Sequence, residues 1–248
     1  MTVQKARRSR RASGMPILTA PKRQTKRAKD AGAASPAKAK PKATRDPQRT
    51  SAAILAAATR EFTEQGFGGA RVDEIAARAR INKRMLYHYY GGKEALYVAV
   101  LENAYVGIRS AEAVLDLENR DPAEAMRHLA RFTWDYFVAH PEFLSILNTE
   151  NLLRGKYIRT SDKVIELHSP MISLLSQTLK RGVAIGEFRD KVDPVDLYIS
   201  IAALGFFYLS NRWTLATIFK RDLAAPAALQ HWGDHVVEVI MSYLRPDG

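Results

Sequence analysis

From residue 47 onward, apolar side chains recur three and four positions apart. Ile54, Leu55, Ala58 and Phe62 share one side of a helix predicted over 47–65. Val72, Ile75, Ala76 and Ala79 do the same over 72–79, and Leu86 with Tyr90 over 83–90. The helical period continues over 93–107, 122–139, 142–153, 160–182, 194–220 and 226–244. No period-two alternation bounded by hairpin turns interrupts it, so the predicted class is all-α. The punctuation agrees. Asp46-Pro47, Asp121-Pro122 and Asp193-Pro194 each set a capping carboxylate before a proline at the first helical position. Asn82 is a good cap for 83–90, and Gly66 is expected to stop the first helix in a left-handed conformation.

Two late segments are apolar beyond what one buried face needs. "LYISIAALGFFYLSNRW" is apolar nearly all round, as a helix is when one side meets a core and the other a partner. In the last helix Leu229, Trp232, Val236, Ile240 and Tyr243 form a stripe, expected to be a dimer interface; the alternative makes both ordinary core helices of a monomer. The longest apolar run, Leu197–Leu209, is shorter than the roughly 20 residues that span a bilayer, so no membrane partner is expected.

Charge divides the chain. The formal net charge is +12, and residues 1–44 hold 13 Lys and Arg against one acid, leaving 25 of each sign in 45–248. That first segment, with "RRSRRASG" and "SPAKAKPKAT", is too poor in large apolar residues to offset ordering entropy and reads as a disordered basic arm. Targeting signals compete with that reading, but "MPILTAP" is short and broken by proline, and Met15 is an alternative start. Within the rest, 45–93 has nine basic residues against five acids, so a small basic unit precedes a mildly acidic one. There is no cysteine, which excludes disulfides and thiolate metal sites and is compatible with a cytoplasmic location.

The basic unit holds the densest chemistry. "VDEIAARA" and "KRMLYHYY", joined by "RIN", form a helix-turn-helix pattern whose second helix offers its outer face and N-terminal end to a major groove. Lys83, Arg84 and His88 are placed there as donors to guanine edges or phosphates, with Asn82 at the helix start. Tyr87 and Tyr89 carry hydroxyls for phosphates, and Lys93 opens the next helix near the same backbone. The competing reading makes the tyrosines core aromatics, which suits Tyr90, one turn from Leu86.

The run "ILAAATREFTEQGF", "VDEIAARARI" and "NKRMLYHYYGGKEAL" resembles the DNA-binding domain of the TetR family of bacterial transcriptional regulators. The resemblance implies an N-terminal three-helix DNA-binding domain over 45–92 and a larger helical ligand-binding and dimerisation domain over 93–248. It implies Lys83, Arg84, Tyr87, His88 and Lys93 as operator contacts, with Arg71 at the start of the second helix. A homodimer on a palindromic double-stranded operator, released when a small-molecule effector moves the 93–107 helix, is the expected function, most simply as a repressor. Three positions depart from the family pattern: Ala70 where a Thr or Ser usually caps the second helix, Arg80 where the turn usually has Gly, and Arg84 where a small residue is usual.

Effector candidates in the larger domain are polar groups among apolar ones: Trp134 and Phe137, Asn148, Glu150 and Asn151, His168 and Met171, and Asn211 with Arg212. Glu150 stands out, because a carboxylate among Ile, Leu and Asn is costly unless it meets a partner. His231, Asp234 and His235 lie within one turn but make a poor metal site without a fourth ligand, so neither metal nor cofactor is expected. No phosphate loop, nucleophile elbow or metalloprotease helix points to an enzyme. The competing functions are a nonspecific architectural DNA-binding protein, suggested by the basic arm, and a helical enzyme.

Overall fold

Five helices begin where a side chain takes up amides left unpaired in the first turn. Asp46 accepts from Gln48 N at 3.0 Å, Asn82 from Arg84 N at 2.9 Å, and Ser161 Oγ from Val164 N at 3.3 Å. Asp121 and Asp193 each accept two amides, from Ala123 and Glu124 and from Val195 and Asp196. The computed structural model describes residues 46–246, the side chain of Ser169 apart. Among them the elements are α1 (Pro47–Gly69), α2 (Val72–Arg78), α3 (Lys83–Tyr90), α4 (Lys93–Glu112), α5 (Pro122–Ala139), α6 (Pro141–Leu152), a 3-10 turn (Ile158–Thr160), α7 (Asp162–Ala184), α8 (Pro194–Phe219) and α9 (Pro226–Leu244). The described residues contain no strand, so the class is all-α as expected. The basic arm expected over 1–44 lies outside the described residues.

One of the five non-glycine residues with positive φ among the described residues stands where the sequence departs from the family pattern. Arg80 has φ 54°, in the turn between α2 and α3, where glycine would be free of the steric cost. The neighbouring amides still find carbonyls, Arg80 N on Ala77 O and Ile81 N on Ala76 O, both at 3.0 Å. Gly66, at φ 62° and ψ 177°, interrupts α1 with a positive φ but lies outside the left-handed helical basin. The helix end furthest from expectation is that of α4. α4 runs to Glu112 rather than stopping at Gly107, which lies against α5: a Cβ there would stand 3.0 Å from Tyr136 Oη.

α1, α2, α3 and the first half of α4 enclose one core, with Ile54, Phe62, Ile75, Leu86, Leu96 and Tyr97 fully buried. Ile146 and Tyr157, from beyond the expected boundary at residue 92, complete it. α4 then continues into the larger half, so the two parts are welded through a shared helix. That larger half is arranged around α5, which packs against α7, α8 and α9. Leu129, Leu175, Leu197, Ile201, Val236, Ile240 and Leu244 form its main core, and Trp134, Phe137, Phe143 and Tyr208 an aromatic one beside it.

This arrangement corrects the expected dimer stripe. Val236 and Ile240 are buried within the protomer against α5, and Leu229 and Trp232 are partly buried against the aromatic core, with Trp232 Nε1 donating to Leu204 O at 3.2 Å. The more apolar side of α9 turns inward, because the protomer's own core claims it first. Tyr243 alone of the five lies on the outer side, where His231, His235 and Val239 precede it at intervals of four. No helix among the described residues is long and apolar enough to cross a membrane.

Candidate nucleic-acid interface and effector site

α3 is split by its packing into a buried and a presented face. Leu86 is fully buried in the seam against α2, Tyr90 is held by Ser51, and Asn82, Lys83, Arg84, Tyr87 and His88 are exposed. The Tyr90 hydroxyl donates to Ser51 O at 3.1 Å and lies 2.9 Å from Ser51 Oγ, as fits a core tyrosine. Tyr89 differs from Tyr87: it packs partly against the N-terminal core, its ring centroid 5.5 Å from that of His88 in an edge-on arrangement. The presented face is therefore narrower than the sequence suggests. It consists of Lys83, Arg84, Tyr87 and His88, with Tyr89 at its margin.

Lys83 and two groups that flank this face, Asn82 and Lys93, have partners inside the chain. Lys83 Nζ lies 2.8 Å from Asp73 Oδ1, and that hydrogen bond holds the ammonium's pKa above its ordinary value. The pair ties the start of α3 to α2 and restrains the lysine at that end. Asn82 Oδ1 is occupied by the cap, leaving its amide end outward. Lys93 Nζ sits 4.8 Å above the Phe67 ring at the start of α4.

The start of α2 shows how the chain manages without the usual hydroxyl cap. Ala70 is buried, Arg71 occupies the cap position with its side chain exposed, and no side chain caps α2 from that position. Glu61, on α1, does part of the work. Its Oε1 accepts from Arg71 N at 3.3 Å while Oε2 lies 3.2 Å from Arg78 Nε. Arg78 also reaches Glu64 at 2.6 Å, whose carboxyl is lowered first by that hydrogen bond. Glu61 was missed in the sequence, although its position seven residues after Ile54 puts a carboxylate on the apolar face of α1.

The residues singled out as effector contacts do not converge. Trp134 and Phe137 are packing groups of the aromatic core: a Cβ on Gly233 would stand 2.6 Å from Trp134 Cδ1, and one on Gly205 3.1 Å from Phe137 Cδ2. Glu150 meets its partner in the backbone, accepting from Tyr157 N at 2.7 Å and Ile158 N at 2.9 Å. It thereby fixes the 3-10 turn, and the Tyr157 hydroxyl in turn donates to Glu94 of α4 at 3.1 Å. Asn151 is exposed and bonds Leu147 O, and Asn211 bonds Phe207 O. Asn148, bonded to Ser210 Oγ, and Arg212 line an open groove of about 410 Å³ between α6 and α8. Of the nine, His168 and Met171 lie nearest the polar group described next.

That group was hidden by the expected end of α4 at residue 107. Arg109 and Glu112 are buried side by side, Nη1 to Oε2 at 2.8 Å, and Arg109 Nη2 donates to Tyr198 Oη at 2.7 Å. Tyr105 and His168 pack beside them, with ring centroids 5.1 Å apart. His168 donates from Nδ1 to Val164 O, and burial lowers its pKa, so the ring is neutral near pH 7. Burial raises the Tyr105 hydroxyl to about 12 and the Glu112 carboxyl to about 7, the latter against the opposing pull of Arg109. Arg109, Glu112 and Met171 line a cleft of about 520 Å³ between α4 and α7. The signal was present: Leu101, Tyr105, Ile108 and Glu112 follow one helical face.

Two family models match this chain. Residues 54–100 match the model described as bacterial regulatory proteins of the tetR family, and 122–240 the tetracyclin repressor-like C-terminal domain. The chain is 41% identical over 197 residues to the HTH-type transcriptional repressor NicS of Pseudomonas putida, covering 79% of this chain and 93% of that one. It is 42% identical over 194 residues to the HTH-type transcriptional regulator RutR of Escherichia coli K12, covering 78% and 90%. Among solved structures, the transcriptional regulator SCO4942 from Streptomyces coelicolor aligns with a TM-score of 0.58 at 26% identity over 79% of this chain and 98% of its own. A tetR-family protein from Rhodococcus RHA1 shares the fold with a TM-score of 0.64 at 16% identity, over 80% and 98%.

Proposed function

The chain belongs to the TetR family of bacterial regulatory proteins, and on that premise we propose that it acts as a homodimeric repressor released from a palindromic operator by a small-molecule effector. One observation carries the reading. α3 buries Leu86 and turns Lys83, Arg84, Tyr87 and His88 to solvent together, which is the arrangement a helix needs to enter a major groove while anchored from behind. Arg84, exposed on that face, reads a base, whereas Lys93, beside Phe67, holds the phosphate backbone.

Arg84→Ala is therefore expected to cost about 1–3 kcal/mol at one operator position and to relax preference there. Lys93→Ala is expected to weaken binding to all sequences alike. Binding measured on a set of single-base operator variants separates the two, and equal, sequence-independent losses from both would remove Arg84 as a reader.

α8 supports the homodimer. It buries Leu197, Ile201, Gly205 and Tyr208 on one side and leaves Val195, Ile199 and Phe207 exposed on another, a continuous apolar face that calls for a partner. His231, His235, Val239 and Tyr243 of α9 extend the outward surface. A second copy meets this face with its own, as an isologous contact requires.

The thirteen cations of 1–44 would neutralise phosphates flanking the operator, adding affinity without sequence preference. Deleting residues 1–44 should make the slope of log K against log salt shallower by about 0.9 for each phosphate that the arm would otherwise neutralise. An unchanged slope would show that the arm does not touch DNA.

The effector acts through α4, which carries Lys93 at one end and Arg109 with Glu112 at the other, about 30 Å apart along a 20-residue helix. Any ligand with different affinity for two settings of that helix shifts the spacing of the two reading heads.

A further inference from the structure

The α4/α7 cleft contains an unusual electrical arrangement. Arg109 and Glu112 are buried, yet Arg109 Nε and Nη1 and both Glu112 oxygens make no hydrogen bond. Nη1 lies 2.8 Å from Oε2 but without hydrogen-bond alignment. A pair kept only for stability would be expected to satisfy these atoms, since burying them unpaired is costly. The two residues line a cleft of about 520 Å³ from behind, the unpaired atoms themselves being closed to solvent; Ala113, Leu167, Pro170, Met171 and Leu174 supply its apolar wall, and Ser110, Glu118, Lys163 and Glu166 its polar groups. Pro170, inside α7, has no amide to give the Glu166 carbonyl, so the opposite wall also carries an acceptor that its own helix does not use.

We propose that this cleft is the effector site and that it takes a small monocarboxylate with a compact apolar body, its carboxylate bound by Arg109. The proposal rests on the reading of the chain as an effector-released regulator and adds the chemical class of the effector. Arg109 Nε is a donor without a partner beside an Nη2 already bonded to Tyr198, so a carboxylate entering here gains a charge-assisted hydrogen bond, and the apolar wall matches the rest of such a molecule. A second anion beside Glu112 is tolerated if Glu112 is protonated. It then becomes a donor to the incoming carboxylate, while Arg109 balances the one remaining negative charge.

Burial already holds Glu112 near pH 7. The groups around it are Arg109 and Tyr105 on α4, Tyr136 on α5, Lys163, Glu166 and His168 on α7, Tyr198 on α8 and Glu118 in the loop after α4. Of the nearest, His168 is neutral and the tyrosines are raised, so Glu112 is the group that changes charge in the neutral range. Above about pH 7 the empty site carries an ionised Glu112 that must gain a proton on binding. Affinity then falls by up to tenfold per pH unit, whereas below that pH this group imposes no dependence.

The test uses calorimetry on the full chain with matched acids and amides, benzoate against benzamide and hexanoate against hexanamide, at pH 6 and pH 8. The acids are expected to bind more tightly than about 10 mM, the weakest affinity to expect of a well-seated fragment of this size, and the amides at least tenfold more weakly. Arg109→Met should weaken the acids about tenfold or more. Titrations in buffers of different ionisation enthalpy should show uptake approaching one proton per protomer at pH 8 in the wild type, a readout that needs no variant to fold, and Glu112→Gln should abolish it. Amides binding as well as acids, acid binding that survives in folded Arg109→Met, no acid binding by the wild type, or no proton uptake at pH 8 would each overturn the proposal. Gel shifts on the same preparations keep the two readings apart. Wild type that binds a discrete operator but ignores the acids retains the regulator reading and loses this one, whereas wild type that binds no discrete DNA site loses the regulator reading itself.

Discussion

Trp134→Ala is expected to lower the stability of the larger half by about 3–5 kcal/mol, the range for removing a buried tryptophan. The indole is buried between α5, α8 and α9, 5.5 Å from the Tyr208 ring, and Gly233 is small because the indole lies where a Cβ would be. Gly233→Ala presses on the same ring from the other side and should cost about 1–3 kcal/mol by overpacking. Urea unfolding followed by circular dichroism measures both. If Trp134 were instead an effector contact, its alanine variant would keep its melting temperature and lose only the response to ligand, and that outcome would return Trp134 to the binding site.

The second large effect concerns assembly. Ile199→Asp and Phe207→Asp each place a carboxylate on an exposed apolar face of α8, where Ile199 is 55% and Phe207 60% exposed in the single chain. Such a charge leaves the protomer's own core untouched and is desolvated only if a second copy docks. Both variants should remain folded, sediment as monomers at micromolar concentration and bind the operator roughly 10²–10⁴-fold more weakly, because one half-site then acts alone. Val236→Asp makes the contrast. That carboxylate would enter the protomer core against α5, so it should unfold the chain rather than separate two folded copies. Folded monomers from Val236→Asp, with unchanged dimers from Phe207→Asp, would reverse the assignment of the two faces.

Period and punctuation made most of the fold legible, because each helix carries its own boundary signals. Asp121, Asp193 and Asn82 cap as read, and Leu86 is the plug between α2 and α3. What was not legible is which side of an apolar helix goes where. α9 has an inward stripe and an outward one, and the richer of the two, with Trp232, Val236 and Ile240, is claimed by α5 and α8. A sequence does not reveal that competition, since it depends on how many neighbours the helix meets.

The site was read unevenly for a related reason. Arg84, Tyr87 and His88 lie within one helix, so spacing alone places them together. The Arg109–Glu112–Tyr198–His168 group is drawn from α4, α7 and α8, so no spacing along one helix brings its members together. Glu150 shows the reverse error. Its need for a partner was correctly inferred, but the partner is the backbone of the 3-10 turn seven and eight residues later.

A dimer that reads a palindrome through α3 leaves a symmetric footprint, which hydroxyl-radical cleavage of DNA from around its own gene, bound by the purified full chain, would record. Two protected half-sites related by a dyad are expected, their centres one helical turn or a multiple of it apart, both lost together in Phe207→Asp. Uniform protection along the DNA, or a single protected half-site with no symmetric counterpart at saturating protein, would contradict it.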